Sequence, residues 1–181
     1  FIFRANDVIS HIGQVPDMSA EEKAKLIAEA KFFRAYGYYN LNVLWRGVPL
    51  YLEYIEDVGK ANRPRSTEQQ VWDAVIQDFT DCIEEANLPD RYRAGDADYG
   101  RITKAAALAY RGQAYQMLAS RGEGDKAKYW DLALKDFEAL EPMGFALYNG
   151  DGANSYKTLF KPANEQCDEV IFSIRCTQMS G

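Results

Sequence analysis

Apolar residues recur at helical spacing in four stretches of the chain, separated by polar segments that carry glycine and proline. The first stretch follows Ser19, which stands three residues before Glu22 as in a capping box, and it runs without proline through Trp45. One apolar stripe on it reads Leu26, Ala30, Phe33, Gly37, Leu41 and Leu44; a second reads Phe32, Tyr36, Tyr39 and Val43. Two stripes on one helix predict cover on two sides. Gly47 and Pro49 end it, because neither continues a helix well. The segment from Tyr51 to Pro64 reads as a long connection.

Ser66, with Gln69 three residues on, opens a second helix. Trp72, Val75, Ile76, Phe79, Ile83 and Ala86 form its apolar face, Asp73, Gln77, Thr80, Asp81 and Glu84 its polar one, and it ends near Pro89. Thr103 is a good N-cap for the third helix. Small residues follow it at Ala105, Ala106, Ala107, Ala109, Gly112 and Ala114 and let a neighbouring helix approach, with Leu108, Tyr115 and Leu118 filling between. A fourth helix runs from about Lys126 to Leu140, with Trp130, Ala133, Leu134, Phe137 and Leu140 inward.

Helix, connection, helix, twice over, is a repeat. The Gly112/Tyr115 and Ala133/Phe137 spacings match tetratricopeptide positions, with an expanded turn between them. The predicted fold is mainly α: two degenerate tetratricopeptide-like hairpins that stack, followed by a short irregular or β portion. Beyond Pro142 the runs "GFALYNG", "YKTLF" and "EVIFSIRC" read as short strands or irregular cover. The expected division is a helical region over 1–142 and the start of an irregular, short-strand region over 143–181, cut short at the C-terminus.

Charge and composition remove several function classes. Twenty-one basic and 27 acidic residues give a net charge of −6, and the basic ones are scattered rather than gathered into a stripe, so nucleic acid is not an expected partner. One histidine, His11, and three cysteines with no C-x-x-C pair leave little from which to build a zinc site, so no metal or cofactor is expected. Cys82, Cys167 and Cys176 read as isolated, mostly buried thiols, with a Cys167–Cys176 link as the alternative. No uncharged apolar run approaches the roughly 18 residues of a membrane span. The N-terminus lacks both an initiator Met and a signal-peptide pattern, and both ends look cut.

The segment "DYGRITKAAALAYRGQAYQML" poses the sharpest chemical question, since a glycine and two basic residues lead into a helix. A Walker A loop needs two glycines, then lysine and Ser/Thr in order. Here only Gly100 precedes Lys104, and Thr103 stands before the lysine, so helix entry and packing is the reading. Arg101 and Lys104 are then solvated or paired with nearby acids. The carboxylate pairs Glu21/Glu22, Glu84/Glu85 and Asp96/Asp98 fall on polar faces or loops, and adjacent acids do not face each other across a cleft. His11 has no nucleophile in a recognisable context and reads as structural. "DGANS" lacks the spaced ligands of a calcium loop and reads as a turn. Trp45, Tyr51 and Tyr54 flank the first connection; their rings could stack on a sugar or pack into the core, and they are the candidate ligand contacts.

The segment "AEAKFFRAYGYYNLNVLWRGVPL" resembles the SusD/RagB family pattern through Glu29, Ala30, Phe32, Arg34, Ala35, Tyr38, Leu41 and the Gly47–Leu50 run. "RSTEQQVWDAVIQDFTDCIEEANLP", "GRITKAAALA", Leu159–Phe160 and "EVIFSI" are similar to the family's next segments in the right order, from about residue 20 to 175. Ala28, Ile102 and Arg46 depart from the pattern without touching a charge or cap that the fold needs. The resemblance implies a surface-exposed outer-membrane lipoprotein, lipidated on a cysteine upstream of Phe1. It implies a partner, a SusC-like TonB-dependent transporter, and an oligosaccharide or sometimes a peptide as ligand. It carries over no ligand residue, because the shared motifs pack helices. The favoured function is a non-catalytic glycan or nutrient receptor. The alternatives are a tetratricopeptide interaction scaffold, whose groove should present polar side chains, and a helical glycan hydrolase, which needs convergent carboxylates.

Overall fold

The computed structural model describes residues 1–121 and 124–174. Among the described residues six α-helices run in chain order: α1 (Ile2–His11), α2 (Ala20–Trp45), α3 (Glu68–Glu84), α4 (Lys104–Arg121), α5 (Lys126–Glu138) and α6 (Ser155–Leu159), with short 3-10 turns between them. The α2/α3 and α4/α5 pairs are the two expected hairpins, and α3 packs on α4 to stack them. The fold is tetratricopeptide-like and helical.

The caps explain where the helices begin. Ser19 Oγ accepts from Glu22 N at 3.1 Å while Glu22 Oε2 accepts from Ser19 N at 3.1 Å, so α2 starts with the capping box read from the sequence. For α3 the cap is Thr67 with Gln70, one residue later than the expected Ser66 with Gln69. Ser66 is otherwise engaged: its N–H donates to Val48 O at 3.2 Å, which holds it beside the chain leaving α2. At the far end, Glu85 turns extended and its carboxylate accepts from Asn87 N at 3.0 Å. Ala86 is therefore exposed, and Leu88 fills the core beneath the helix end instead.

Helix α2 is covered on more sides than two stripes suggested, because α1 packs on it as well as α3. The N-terminal helix was not read from the sequence, although Ile2, Ala5 and Ile9 have helical spacing. Phe32, Ala35 and Tyr38 of α2 are fully buried, whereas Leu44, expected in the stripe, is 67% exposed in the last turn. An aromatic cluster forms the centre. Phe32 lies 5.4 Å from Phe79 and 5.2 Å from Phe172, and Tyr36 lies 5.3 Å from Tyr110, mostly edge to face as ring quadrupoles favour. Burial pushes the Tyr110 phenol up to about 12.

In the second hairpin the small residues act as expected: Ala105, Ala106, Ala107 and Ala114 are buried, and a Cβ at Gly112 would lie 2.7 Å from the Phe137 ring. Ala133 is buried on α5, but Trp130 and Leu134, expected inward, are 49% and 56% exposed. The described helices cover α5 mainly from the α4 side, which leaves its opposite face open. Past residue 142 the irregular alternative holds, with short helical turns and no strand among the described residues. That portion is tied back by Arg91, which bonds Gly144 O, reaches Asp168 Oδ1 at 2.6 Å and stacks on Phe145 at 4.3 Å. Cys82 is fully buried, with its thiol raised by burial, Cys167 is half-buried, and Cys176 lies outside the described residues.

Gly47 is the tightest point of the hairpin junction. It has φ +76°, and a Cβ there would lie 2.4 Å from Ser66 O. Gly47→Ala is expected to destabilise the chain by more than about 2 kcal/mol, from left-handed strain plus a clash with backbone that cannot rotate away. Urea unfolding of the purified variant checks this, and a loss within about 0.5 kcal/mol of zero, as at ordinary surface positions, would refute it.

Candidate functional site

A buried polar network shapes the first connection, where the candidate contacts lie. Arg34 projects from the middle of α2 and is 6% exposed. Its Nε and Nη2 donate to Asp78 Oδ2 and Oδ1 of α3, both at 2.7 Å, in a bidentate pair. Its Nη1 donates to Asn6 Oδ1 of α1 at 2.8 Å and to Leu52 O at 2.7 Å. Asn6 passes the connection on: Nδ2 donates to Tyr51 O at 2.8 Å and Glu53 O at 3.0 Å. The Tyr38 hydroxyl receives Tyr51 N at 2.6 Å and donates to Tyr51 O at 3.2 Å. Three consecutive carbonyls, from Tyr51 to Glu53, are thus held by side chains of α1 and α2. Burial pushes the Asp78 carboxyl up and the Arg34 guanidinium pulls it back.

This anchored loop and α1 bound two grooves that meet at Glu53 and Ile55. One, about 600 Å³, lies against α1 and the C-terminal half of α2 and is apolar, walled by Ile2, Phe3, Leu41, Val48 and Tyr51. The other, about 500 Å³, is polar and is walled by Ser10, His11, Tyr54, Asp57, Lys60 and Arg63. A third groove, about 840 Å³, lies between α4 and the C-terminal portion, beside Tyr110, Tyr156, Phe160 and Phe172.

The structure separates the three candidate aromatics. Tyr51 lines the apolar groove, its hydroxyl bonded to Ala61 O and one ring face under the Arg63 guanidinium at 5.3 Å. Tyr54 lines the polar groove, half-buried, with Phe3 at 5.3 Å and the His11 ring edge at 4.9 Å. Trp45 lines neither and stands 57% exposed at the end of α2, where Arg65 grips the last carbonyls, Gly47 O among them at 2.7 Å. Sequence reasoning missed Phe3 and Asn6, which arrive from α1, and the helical spacing of Ile2, Ala5 and Ile9 was the signal that could have found them.

The other sequence candidates resolve into structural roles. The first backbone N–H groups of α4, which a phosphate would use, are taken: Lys104 N donates to Pro89 O at 2.9 Å, Ala105 N to Asp90 O at 3.1 Å and Ala106 N to Thr103 Oγ1 at 3.2 Å. Arg101 pairs with Glu29 through Nε at 2.9 Å and Nη2 at 3.0 Å, and Asp98 takes Lys25 at 3.1 Å. The Lys25 bond most, and a second from Arg101 Nη1 at 3.3 Å, hold the Asp98 carboxyl below its ordinary range. Glu22 is spent on the α2 cap and Glu85 on Asn87. His11 Nδ1 lies 2.8 Å from Asp7 Oδ1, one helical turn back. Asp7, Glu22, Glu29, Glu85 and Asp98 are thus engaged in caps, turns and ion pairs, and what the arrangement offers is anchored loops with aromatic and polar walls.

Those features define a helical-repeat protein with open, ligand-sized grooves. The family model described as "Starch-binding associating with outer membrane" matches residues 1–119, and the chain belongs to this family of SusD-like proteins. Two SusD-like proteins of Formosa agariphila are similar: P38 is 33% identical over 65% of the chain and 21% of its own length, and P25 is 24% identical over 96% of the chain and 30% of its length. Among solved structures, a SusD-like protein from Bacteroides fragilis superposes with a TM-score of 0.79 at 23% identity, covering 99% of the chain and 32% of that protein. Surface glycan-binding protein A from Bacteroides uniformis gives 0.75 at 25% identity, over 94% of the chain and 35% of that protein. The chain spans about a third or less of the length of these relatives.

The network predicts its own weak point. Asp78→Ala leaves the Arg34 charge buried and unpaired and should cost about 3–5 kcal/mol, whereas the double change Arg34→Met with Asp78→Leu should cost less than that single one. Denaturant unfolding measures both, and amide exchange should quicken at residues 51–54 in the single variant. A single variant as stable as the parent would show that the pair does not hold the loop.

Proposed function

We propose that the complete protein is a surface lipoprotein that binds an oligosaccharide without turning it over and passes it to a SusC-like TonB-dependent transporter. The observation that carries this reading is the family match over residues 1–119, which includes both walls of the anchored loop. It is supported by the likeness to a surface glycan-binding protein over 94% of the chain. On this reading the lipid anchor precedes Phe1. Residues 1–142 serve as the helical scaffold, and an irregular region begins at residue 143.

The chemistry of the polar groove suits a sugar. A pyranose presents a C–H face to an aromatic ring and hydroxyls at its rim, and sites for such ligands combine apolar walls with a few placed polar groups. Tyr54 supplies the ring, and Asp57, Lys60 and Arg63 supply acceptors and donors around it. Trp45 and Tyr51 are the neighbouring candidates, Trp45 with its ring open to solvent and Tyr51 with one face left beside Arg63.

Calorimetric titration of the full-length protein against a panel of oligosaccharides, with chromatography of the sugar afterwards, tests the reading. One glycan class should bind and be recovered intact. Tyr54→Ala should weaken that binding about tenfold, a loss of about 1.4 kcal/mol. Release of shorter products, or no binding to any glycan, would sink the proposal. Unchanged affinity in all three of Tyr54→Ala, Trp45→Ala and Tyr51→Ala would move the site elsewhere. Protease shaving of intact cells should remove the protein, as a surface location requires.

A further inference from the structure

A sugar in the polar groove leaves the apolar groove beside it unused. At about 600 Å³ that groove has the size of a small-molecule site, roughly 300–1,000 Å³. Ile2, Leu41, Val48 and Ile55 along it are half-buried, and Phe3 at its rim is 59% exposed.

The side-chain polar groups along this groove are spent on the fold. Asn6 Oδ1 accepts from Arg34 at 2.8 Å, and Asn6 Nδ2 donates to Tyr51 O and Glu53 O. The Tyr38 hydroxyl takes Tyr51 N at 2.6 Å. The Tyr51 hydroxyl donates to Ala61 O, and the Glu53 carboxylate accepts from Arg63. A sugar hydroxyl placed there would give up its water and find no side-chain partner, which disfavours a second sugar ring. An apolar group has nothing to lose.

The two grooves are continuous. Glu53 and Ile55 wall both of them. Phe3 of the apolar groove lies 5.3 Å, ring to ring, from Tyr54 of the polar one. Ala61 and Lys60, neighbours in sequence, fall one on each side. The apolar walls therefore begin beside the ring that would stack a pyranose.

We propose that the ligand is an amphipathic sugar derivative, a glycoside or sugar ester that carries an acyl or aryl group. Its sugar lies on Tyr54 in the polar groove, and its apolar group lies in the adjoining groove between Phe3 and Ile2 of α1 and Leu41 and Val48. The inference rests on the glycan reading of the polar groove. The occupant belongs to the same molecule because the grooves share walls, so a group joined to the bound sugar enters without a second binding event. Each methylene buried there should tighten binding about fourfold.

Calorimetric titration of the full-length protein with methyl, butyl and hexyl β-glycosides of glucose and galactose tests this, beside the unsubstituted oligosaccharide panel. Affinity should climb by about tenfold or more from butyl to hexyl on at least one of the two sugars. Phe3→Ala and Val48→Thr should each cut that gain to within about threefold, and Tyr54→Ala should weaken all three glycosides alike. A hexyl glycoside ending in a photoreactive diazirine should label Ile2, Phe3 or Leu41. Oligosaccharide binding with no gain from chain length, as when another segment of the chain or a second copy covers the groove, overturns this inference and leaves the glycan reading standing. So does a diazirine adduct confined to residues away from the groove. The same gain with alkyl triethylene glycol ethers, and no oligosaccharide bound, overturns both.

Discussion

The Arg34 guanidinium is the constraint on which the first half of this protein depends. A charge buried that deeply is tolerated only when its donors are met. Here four donor contacts join three separate pieces of chain: a carboxylate on α3, an amide on α1 and the carbonyl of Leu52. The hydrophobic cluster around Phe32 and Phe79 would hold α2 on α3 without it. It would not fix where a loop with few apolar anchors lies. The polar network does that by taking the loop's own carbonyls, and in doing so it aims Tyr51 and Tyr54 into adjoining grooves.

The same solution appears again with a different purpose. In the second hairpin Arg111 makes the same bidentate pair, but its spare donor goes to α3 rather than to a loop. One arginine geometry thus serves once to pin a connection and once to stack a repeat. A planar fork suits both tasks, since it can satisfy a carboxylate with one edge while a remaining N–H points elsewhere. Repeat proteins gain stability from each interface between neighbours, and this pair links the interface within a hairpin to the interface between hairpins.

The exposed surfaces fall into two kinds. Around α1 and the 48–63 loop the walls mix aromatic, acidic and basic groups, which suits a hydroxyl-rich ligand. On α5 the exposed groups are large and apolar, Trp130 and Leu134 among them.

Four of the helices were legible in the sequence, because apolar spacing at 3.6 residues and capping residues are local signals; so was the small-residue stripe that lets α4 and α5 close. The α3 cap was misplaced by one residue because a tertiary bond, Ser66 to Val48, outweighed a local preference. Trp130 looked inward because periodicity reports which residues share a face, not whether a neighbour is present to cover it. The aromatic candidates were found as a group but not sorted: Tyr51, Tyr54 and Trp45 are close in sequence, and only the folded path of the loop decides which ring meets which groove. The sequence by itself determined the repeat, its helices and its family, since these follow from near neighbours along the chain. The tertiary structure decided the anchored loop and its grooves, since Asn6, Arg34 and Asp78 come from three helices and meet only when the hydrophobic core has brought those helices together.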